Sequence, residues 1–385
     1  MIIKTKIENL KNYKIYLNVE QATHEFFQKK GYLKVDLPVL SPALIPESYL
    51  EVFETEFRYF DKREKLYLTP SPELFLKRLL VAGVGNCYYL GKSFRNSEPN
   101  SSFHSPEFTM LEFYKVGATY LELADEILDI MKFISSSLSF RAKSRNPIQS
   151  PMREISPLAA LGRNDSDIIY KGKKISFEKW EKFTVAKAFD KFCQISKEEL
   201  FDENLFLKRA QEKGYAISYS SSPESKFGIN SVDNPDKNRD RQARTINFSY
   251  QDVFSQILSQ EVEPKLGKNG YPTLLYDYPA EMSSLAKLNK DRKTAKRVEF
   301  YIDGIEIGGC CEELNDWHEQ KKRFDDQIEK RDRFHMKNHA VDNGFIETLQ
   351  YGLPDCTGAG IGFERLAMIF VDAQSIGKLK LINVK

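Results

Sequence analysis

GKSFRNSEPNSSFHSPEFTMLEFY, residues 91–114, reads as a strand, a polar loop opened by Arg95, and a return strand over Glu107 to Val116. On the return strand the two-residue period of extended chain puts Phe108, Met110, Glu112 and Tyr114 on one face, and Glu107, Thr109, Leu111 and Phe113 on the other. A ring and a carboxylate in line, with a planar guanidinium fork at the loop entrance, are parts that suit a stacking, phosphate-bearing ligand. An arbitrary hairpin of this composition is a half-buried pair of strands with solvated charges, so the surrounding chain has to decide.

Upstream, Ile15, Val19, Ala22 and Phe26 recur at helical spacing and predict a helix from about Asn12 to Lys30, with Gly31 at its left-handed cap. Leu33, Val35 and Leu37 then alternate with polar residues until Pro38 ends the strand. Strands are expected over Leu66 to Thr69 and Cys87 to Gly91, around an amphipathic helix from Glu73 to Val84. Downstream, RVEFYIDGIEIGGCCEEL, residues 297–314, reads as two strands joined at Asp303-Gly304, a strong hairpin signal. GAGIGFERLAMIF, residues 358–370, runs from a glycine-rich strand into an apolar helix with Arg365 near its start. Between these blocks, residues 141–181 carry proline, serine and basic side chains and are expected to form a loop-rich insert. Residues 218–245 are expected to form a second, polar loop. Strands that cluster in two blocks, without regular strand-helix-strand spacing, predict an α+β fold. Its sheet is expected to be largely antiparallel and flanked by helices, in a single domain over residues 1–385.

The composition narrows the function. With 385 residues, 41% hydrophobic, 29% charged and a net charge of +2, the chain folds in water and has no global field for nucleic acid or membrane. Its longest weakly polar stretch, residues 79–91, falls short of the ~20 apolar residues that a membrane-spanning helix needs. The first residues lack the apolar run and cleavage site of an export signal. An odd count of five cysteines, with Cys310 and Cys311 adjacent, makes neither a disulfide framework nor a zinc pair, so a cytoplasmic location is expected. The two vicinal cysteines are read as small packed side chains.

Glu306 and Glu313 lie an odd number of residues apart, which on a regular strand puts them on opposite faces. A bulge or bend at Gly308-Gly309 is therefore expected to turn both toward one site. Carboxylates brought together in this way suit a magnesium nucleotide or an ammonium-bearing substrate, and equally describe two solvated charges. The glycines of residues 358–362 allow close approach of a nucleotide, and the helix that follows can face an anion.

Taken in order, these blocks resemble the three signature motifs of class II aminoacyl-tRNA synthetases: helix, strand and Pro38; Phe94-Arg95 through Tyr114; and Gly360 through Arg365. Within that class the similarity is closest to lysyl-tRNA synthetases and their freestanding relatives, the elongation factor P lysine ligases. SPELFLKRLLVAG, SFRN, HSPEFTMLEFY, YDYPAEMSSLAK, RVEFYIDGIEIG and LPDCTGAGIGFERL carry it, leaving the insert and the second polar loop unmatched. The resemblance implies that Arg95 holds the α-phosphate of ATP, that Phe108 stacks on adenine and that Arg365 clamps the far end of a bent nucleotide. Asn96, Glu98, Ser105, Glu306, Ile307 and Gly362 would complete the nucleotide pocket, with Glu306 and Glu313 holding Mg2+. Ser71, Pro72, Glu73, Glu112, Tyr114, Glu313 and Gly360 would receive the amino acid. A lysine-like ligand carries two ammonium groups, which a pocket rich in Glu73, Glu112 and Glu313 neutralises.

Three departures bear on selectivity. Ser97 separates Arg95-Asn96 from Glu98 where the family reads Arg-Asn-Glu; Ser105 replaces an asparagine before Pro106; and Gly308-Gly309-Cys310-Cys311 replaces a run containing Asn-Gly-Phe. The expected activity is activation of lysine or β-lysine as an adenylate and its transfer to a lysine side chain of elongation factor P, by a homodimer. The alternatives are a lysyl-tRNA synthetase-like enzyme and a non-catalytic synthetase-like regulator. tRNA is disfavoured because the first and third motifs lie close to the two ends of the chain, leaving no terminal room for an anticodon-binding module. A non-catalytic role has no need of Arg95, Arg365, Glu306 and Glu313 together.

Overall fold

An eight-stranded sheet organises the part of the chain that carries the three motifs. In the computed structural model, which describes residues 2–48, 50–96, 101–144, 167–221, 244–333, 336 and 338–384, its strands are β1 (Leu33–Lys34), β2 (Cys87–Phe94), β3 (Glu107–Val116), β4 (Glu181–Thr184), β5 (Thr273–Pro279), β6 (Thr294–Ile302), β7 (Ile305–Glu312) and β8 (Cys356–Gly362). They lie in the order β4-β5-β6-β7-β8-β3-β2-β1. Only the two edge pairings, β4 with β5 and β1 with β2, are parallel; the pairings between are antiparallel, as expected for this α+β fold. The helices that matter here are α1 (Leu10–Lys29), α2 (Glu73–Val81), α3 (Tyr120–Ser144), α4 (Trp317–Arg333), α5 (Asn343–Gln350) and α6 (Phe363–Val371).

Each face of the sheet follows from the side-chain alternation. Leu111 and Phe113 of β3, with Ile307 and Ile361, are fully buried in the main core beneath α1, α3 and α6. There Phe27 of α1 stacks on Tyr88 at 4.4 Å between ring centroids and meets Phe113 edge-on at 4.9 Å. Burying such a side chain contributes about 1.5–3 kcal/mol, which fixes β3 in rotation and sends Met110, Glu112 and Tyr114 to the opposite face. On that face a second cluster, formed by α2, α5, Tyr89, Tyr114 and Cys356, closes one end.

The hairpin of β6 and β7 turns at Asp303 (φ 50°) and Gly304 (φ 77°), as a two-residue turn with two positive φ angles requires. Its bulge is not at the glycines. Phe300 pairs with Gly308 and Tyr301 with Glu306, so Ile307 is the extra residue. That single insertion restores Glu306 to the face of Gly309, Cys311 and Glu313. Gly308 and Gly309 serve close strand packing instead: a Cβ at Gly308 would lie 2.2 Å from the Gly360 carbonyl oxygen, and one at Gly309 would lie 2.7 Å from that of Val298.

The chain divides into two units, Met1–Thr184 with Leu266–Lys385, and Val185–Lys265. The second unit is helical, with Phe189 stacked on Phe254 at 4.8 Å, and has capping boxes at Ser196 and Ser249. Within the stretch expected to be a loop-rich insert, α3 extends to Ser144 and Asp167–Tyr170 pairs with Lys173–Ser176; residues 145–166 lie outside the described residues. The expected polar loop begins and ends as a paired ribbon, Ser218–Ser221 with Arg244–Asn247, and residues 222–243 lie outside the described residues. Among the described residues no helix is long and apolar enough to cross a membrane.

Candidate active site

Three carboxyls gather on the open face where α2 meets β3 and the end of β7. Pro72 caps α2, whose first residue is Glu73. Ser71 accepts a hydrogen bond from the Glu73 amide at 3.1 Å and donates one to Glu112 Oε2 at 2.8 Å. Tyr114 donates its hydroxyl to the other Glu112 oxygen at 3.0 Å. Glu313 Oε2 forms an ion pair with the Lys77 ammonium at 2.6 Å, and Lys77 also pairs with Glu73 one helical turn earlier. Cys311 directs its thiol at Glu313 Oε1 from 3.6 Å. Thus Ser71, Pro72, Glu73, Glu112, Tyr114 and Glu313, expected together from the sequence, do meet.

Crowding of acids in a buried place shows in their ionisation. Burial, reinforced by Glu73, pushes the Glu112 carboxyl up to about 8, against the pull of its two hydroxyl donors. Burial also pushes Glu313 up to about 7, with Lys77 opposing. For Lys77 burial works against the charge, but Glu313 and Glu73 outweigh it and its pKa is raised. Burial and then Glu313 raise the Cys311 thiol well above its ordinary value, so it is a packed thiol rather than a nucleophile.

The other end of the face carries the cations. Arg95 follows β2, with its amide bonded to the Pro106 carbonyl, and its guanidinium lies 5.3 Å from the centroid of the Phe108 ring. Arg365, in the first turn of α6, donates to the Phe103 carbonyl at 3.1 Å, to the Glu306 carbonyl at 3.0 Å and to Glu306 Oε2 at 3.2 Å. Its neighbour Glu364 anchors the helix start by accepting the Thr109 amide on both oxygens. The floor beside them is open: a Cβ at Gly360 would meet only Met110 Sδ at 3.6 Å, and one at Gly362 the Arg365 side chain at 3.6 Å. Two guanidinium groups, an aromatic face and a glycine-lined floor fit a nucleoside triphosphate.

Other expected residues sit differently. The Ile307 side chain is fully buried in the main core, so only its main chain faces the site. Asn96 spends its amide groups on the Glu51 and Val52 carbonyls, holding a loop. Ser105 lies in the turn before β3, and Glu98 lies outside the described residues. The proposed metal pair does not converge. Glu306 and Glu313 share a face but stand at opposite ends of β7, roughly 20 Å apart along an extended strand, so one ion cannot take both. Glu313 is committed to Lys77, whereas Glu306 keeps an accessible carboxylate beside Arg365. The acid that shares the Glu306 end is Glu299, across the pairing on β6, which accepts Tyr278, Tyr301 and Arg297. Among the described residues no group of three or more His, Cys, Asp or Glu side chains forms a metal cage.

Sequence reasoning missed Lys77, Glu299 and Glu47. Burial, then repulsion from Glu73, pushes Glu47 up to about 7, while Arg95, Lys77 and Arg331 pull it down. The one local signal was the Glu73-Lys77 spacing of one helical turn.

The family model for tRNA synthetases class II (D, K and N) matches residues 3–381. An elongation factor P-(R)-beta-lysine ligase of Vibrio parahaemolyticus is 30% identical over 362 residues, covering 93% of this chain and 91% of the relative. One of Klebsiella pneumoniae is 29% identical over 93% of this chain and 90% of its own length. A lysine-tRNA ligase of Carboxydothermus hydrogenoformans is 29% identical over 93% of this chain but only 62% of the relative. With the three motifs on one largely antiparallel sheet and the match running through nearly the whole sequence, the chain belongs to the class II tRNA synthetases (D, K and N).

Proposed function

We propose that this protein activates lysine or β-lysine with ATP and transfers it to a lysine side chain of elongation factor P. The observation that carries the reading is the meeting of Glu73, Glu112 and Glu313 at one end of a face whose other end holds Arg95 over Phe108, and Arg365. An amino acid lying along that face has its ammonium groups among the acids and its carboxylate toward the arginines. A carboxylate oxygen attacks the α-phosphorus, the bond from that phosphorus to the bridging oxygen breaks, and pyrophosphate leaves. Arg95 and Arg365 stabilise the charge that develops, in fixed positions set by β2 and α6. The uncharged amine of the acceptor lysine then attacks the adenylate carbonyl, AMP leaves, and an amide forms with loss of a proton. Neither step needs a nucleophile from the protein, which agrees with the inert thiol of Cys311.

Mg2+ would neutralise the phosphates, with Glu306 the accessible carboxylate to hold it and Glu299 beside it. The relatives named as ligases of elongation factor P are matched over most of their length, which supports that acceptor over tRNA. We read the whole chain as one catalytic domain in which Val185–Lys265 is an insertion between β4 and β5, acting as a cytoplasmic homodimer through α1 and the strand that follows it. The test is ATP-pyrophosphate exchange across amino acids without tRNA. Exchange with lysine or β-lysine and little else is expected, because a neutral side chain leaves buried acids unpaired. Absence of exchange with every amino acid would refute the reading.

A further inference from the structure

Lys77 is among the least exposed ionisable groups in the protein, with 1% of its side chain accessible, and it lies inside the cluster of acids rather than beside it. Its ammonium pairs with Glu73 of its own helix and with Glu313 at the end of β7. The ring of Phe345 from α5 stands 5.9 Å away. Enclosed in this way, Lys77 cannot swing out to make room for a substrate ammonium, so it is a permanent member of the pocket. Each carboxylate oxygen accepts more than one hydrogen bond, so Glu73 and Glu313 can serve Lys77 and a ligand at once.

We propose that Lys77 is a positioning residue that holds the Glu73 and Glu313 carboxyls together and sets the charge of the pocket to match an amino acid with two ammonium groups. This rests on the proposed activity and deepens it. Glu73, Glu112 and Glu313 together can carry three negative charges, and Lys77 cancels one; Glu47, which burial and Glu73 push up to about 7, adds no charge while it keeps its proton. Two remain, one for each ammonium of a diamino acid. Without Lys77 two acids from distant parts of the chain would face each other uncompensated in a place with little water. Their mutual repulsion would be relieved by protonation or by turning apart. Either response removes an acceptor from the amino acid and leaves the arginine end untouched.

The experiment compares wild type with Lys77→Met, Lys77→Gln and Lys77→Arg in pyrophosphate exchange, titrating lysine and ATP separately from pH 6.5 to 8.5. Lys77→Met is expected to raise the amino-acid KM at pH 7 by about a hundredfold, the scale of removing one partner from a buried ion pair. The ATP KM should change by less than about threefold on the same scale. In this variant the amino-acid KM should fall with rising pH more steeply than in wild type, because the acids must now lose a proton to bind. Lys77→Arg, which keeps the charge, should restore most of the affinity, and Lys77→Gln should not. An unchanged amino-acid KM in folded Lys77→Met would overturn the proposal, and so would an equal rise in both KM values. If Lys77→Met does not fold, the arginine and glutamine variants decide: equal amino-acid KM values and equal pH profiles refute a role for the charge. Wild type inactive with every diamino acid would instead mark failure of the proposed activity itself.

Discussion

Gly358→Ala and Gly360→Ala add one methyl each at adjacent positions on the same face of β8, and the structure assigns them opposite outcomes. A Cβ at Gly358 would lie 2.4 Å from Glu313 Oε1 and 2.4 Å from Tyr114 Cε1. Neither atom can yield easily: Glu313 is pinned by Lys77, and Tyr114 is 2% exposed with its hydroxyl on Glu112. Overpacking of this kind costs about 1–3 kcal/mol. The displaced groups line the amino-acid pocket, so the cost should appear there, as a rise in amino-acid KM of about 5- to 150-fold with ATP binding retained. At Gly360 the added methyl would meet only Met110 Sδ at 3.6 Å. That is an ordinary contact with an adaptable side chain, so Gly360→Ala should keep adenylation. Its effect should be on the choice of isomer, shifting preference toward β-lysine by about 10- to 200-fold at most. Exchange at saturating ATP, with each isomer titrated against each variant, reads both quantities. Wild-type affinity in Gly358→Ala, or equal damage from the two substitutions, would refute the reasoning.

Arg95→Ala and Arg365→Ala should each lose about 2–4 kcal/mol of transition-state stabilisation in adenylate formation; an active double variant, by the same exchange assay, would remove these motifs from the site. Because burial pushes Glu112 up to about 8 and Glu313 up to about 7, and an ammonium needs their ionised forms, the amino-acid KM should fall from pH 6 to 8 in wild type, and in Glu112→Gln the fall should be smaller and end nearer pH 7. The raised Glu112 pKa destabilises the fold as pH rises from the unfolded carboxyl value toward 8, so between pH 5 and 8 the Tm of wild type should drop more than that of Glu112→Gln. Purified protein should modify elongation factor P in preference to tRNA, read by mass spectrometry of the factor and by acid-precipitable charging of tRNA; efficient charging would favour the rival reading.

The parts of the site that were legible are those where one local period runs unbroken. On β3 the pairing with β2 and β8 has no irregularity, so a two-residue alternation placed Phe108, Met110, Glu112 and Tyr114 correctly on one face. On β7 the same reasoning needed a bulge and looked for it at glycine, the residue that tolerates unusual backbone. The bulge falls on Ile307, because what decides it is burial of that side chain in the main core, a tertiary preference with no local mark. Lys77 was hidden for a related reason. On a helix of mixed polarity a lysine reads as solvated, and its second partner, Glu313, belongs to a strand far along the chain. The metal assignment failed on distance, since shared orientation along a strand says nothing about convergence.

The polar face of α4 shows how much of a site can rest on residues that never enter it. Gln320, Arg323, Gln327 and Arg331 recur at helical spacing, and each bonds to main chain outside its own helix. Gln320 donates to the Ser284 carbonyl, and Arg323 to those of Ser283 and Ala286. Gln327 accepts the Ser48 amide, and Arg331 donates to the Glu47 and Leu50 carbonyls. The two segments held in this way border the pocket from different sides. Ala286 bridges to Glu313 itself, while the Glu51 carbonyl receives the amide of Asn96, next to Arg95. Fixing a backbone residue costs about 1–2 kcal/mol of conformational entropy, and loops without such bonds would leave the acids and the arginines free to drift relative to each other. In-line attack on phosphorus tolerates little such drift. A helix whose polar side chains never enter the pocket thus holds the ammonium end and the phosphate end of the site in one register.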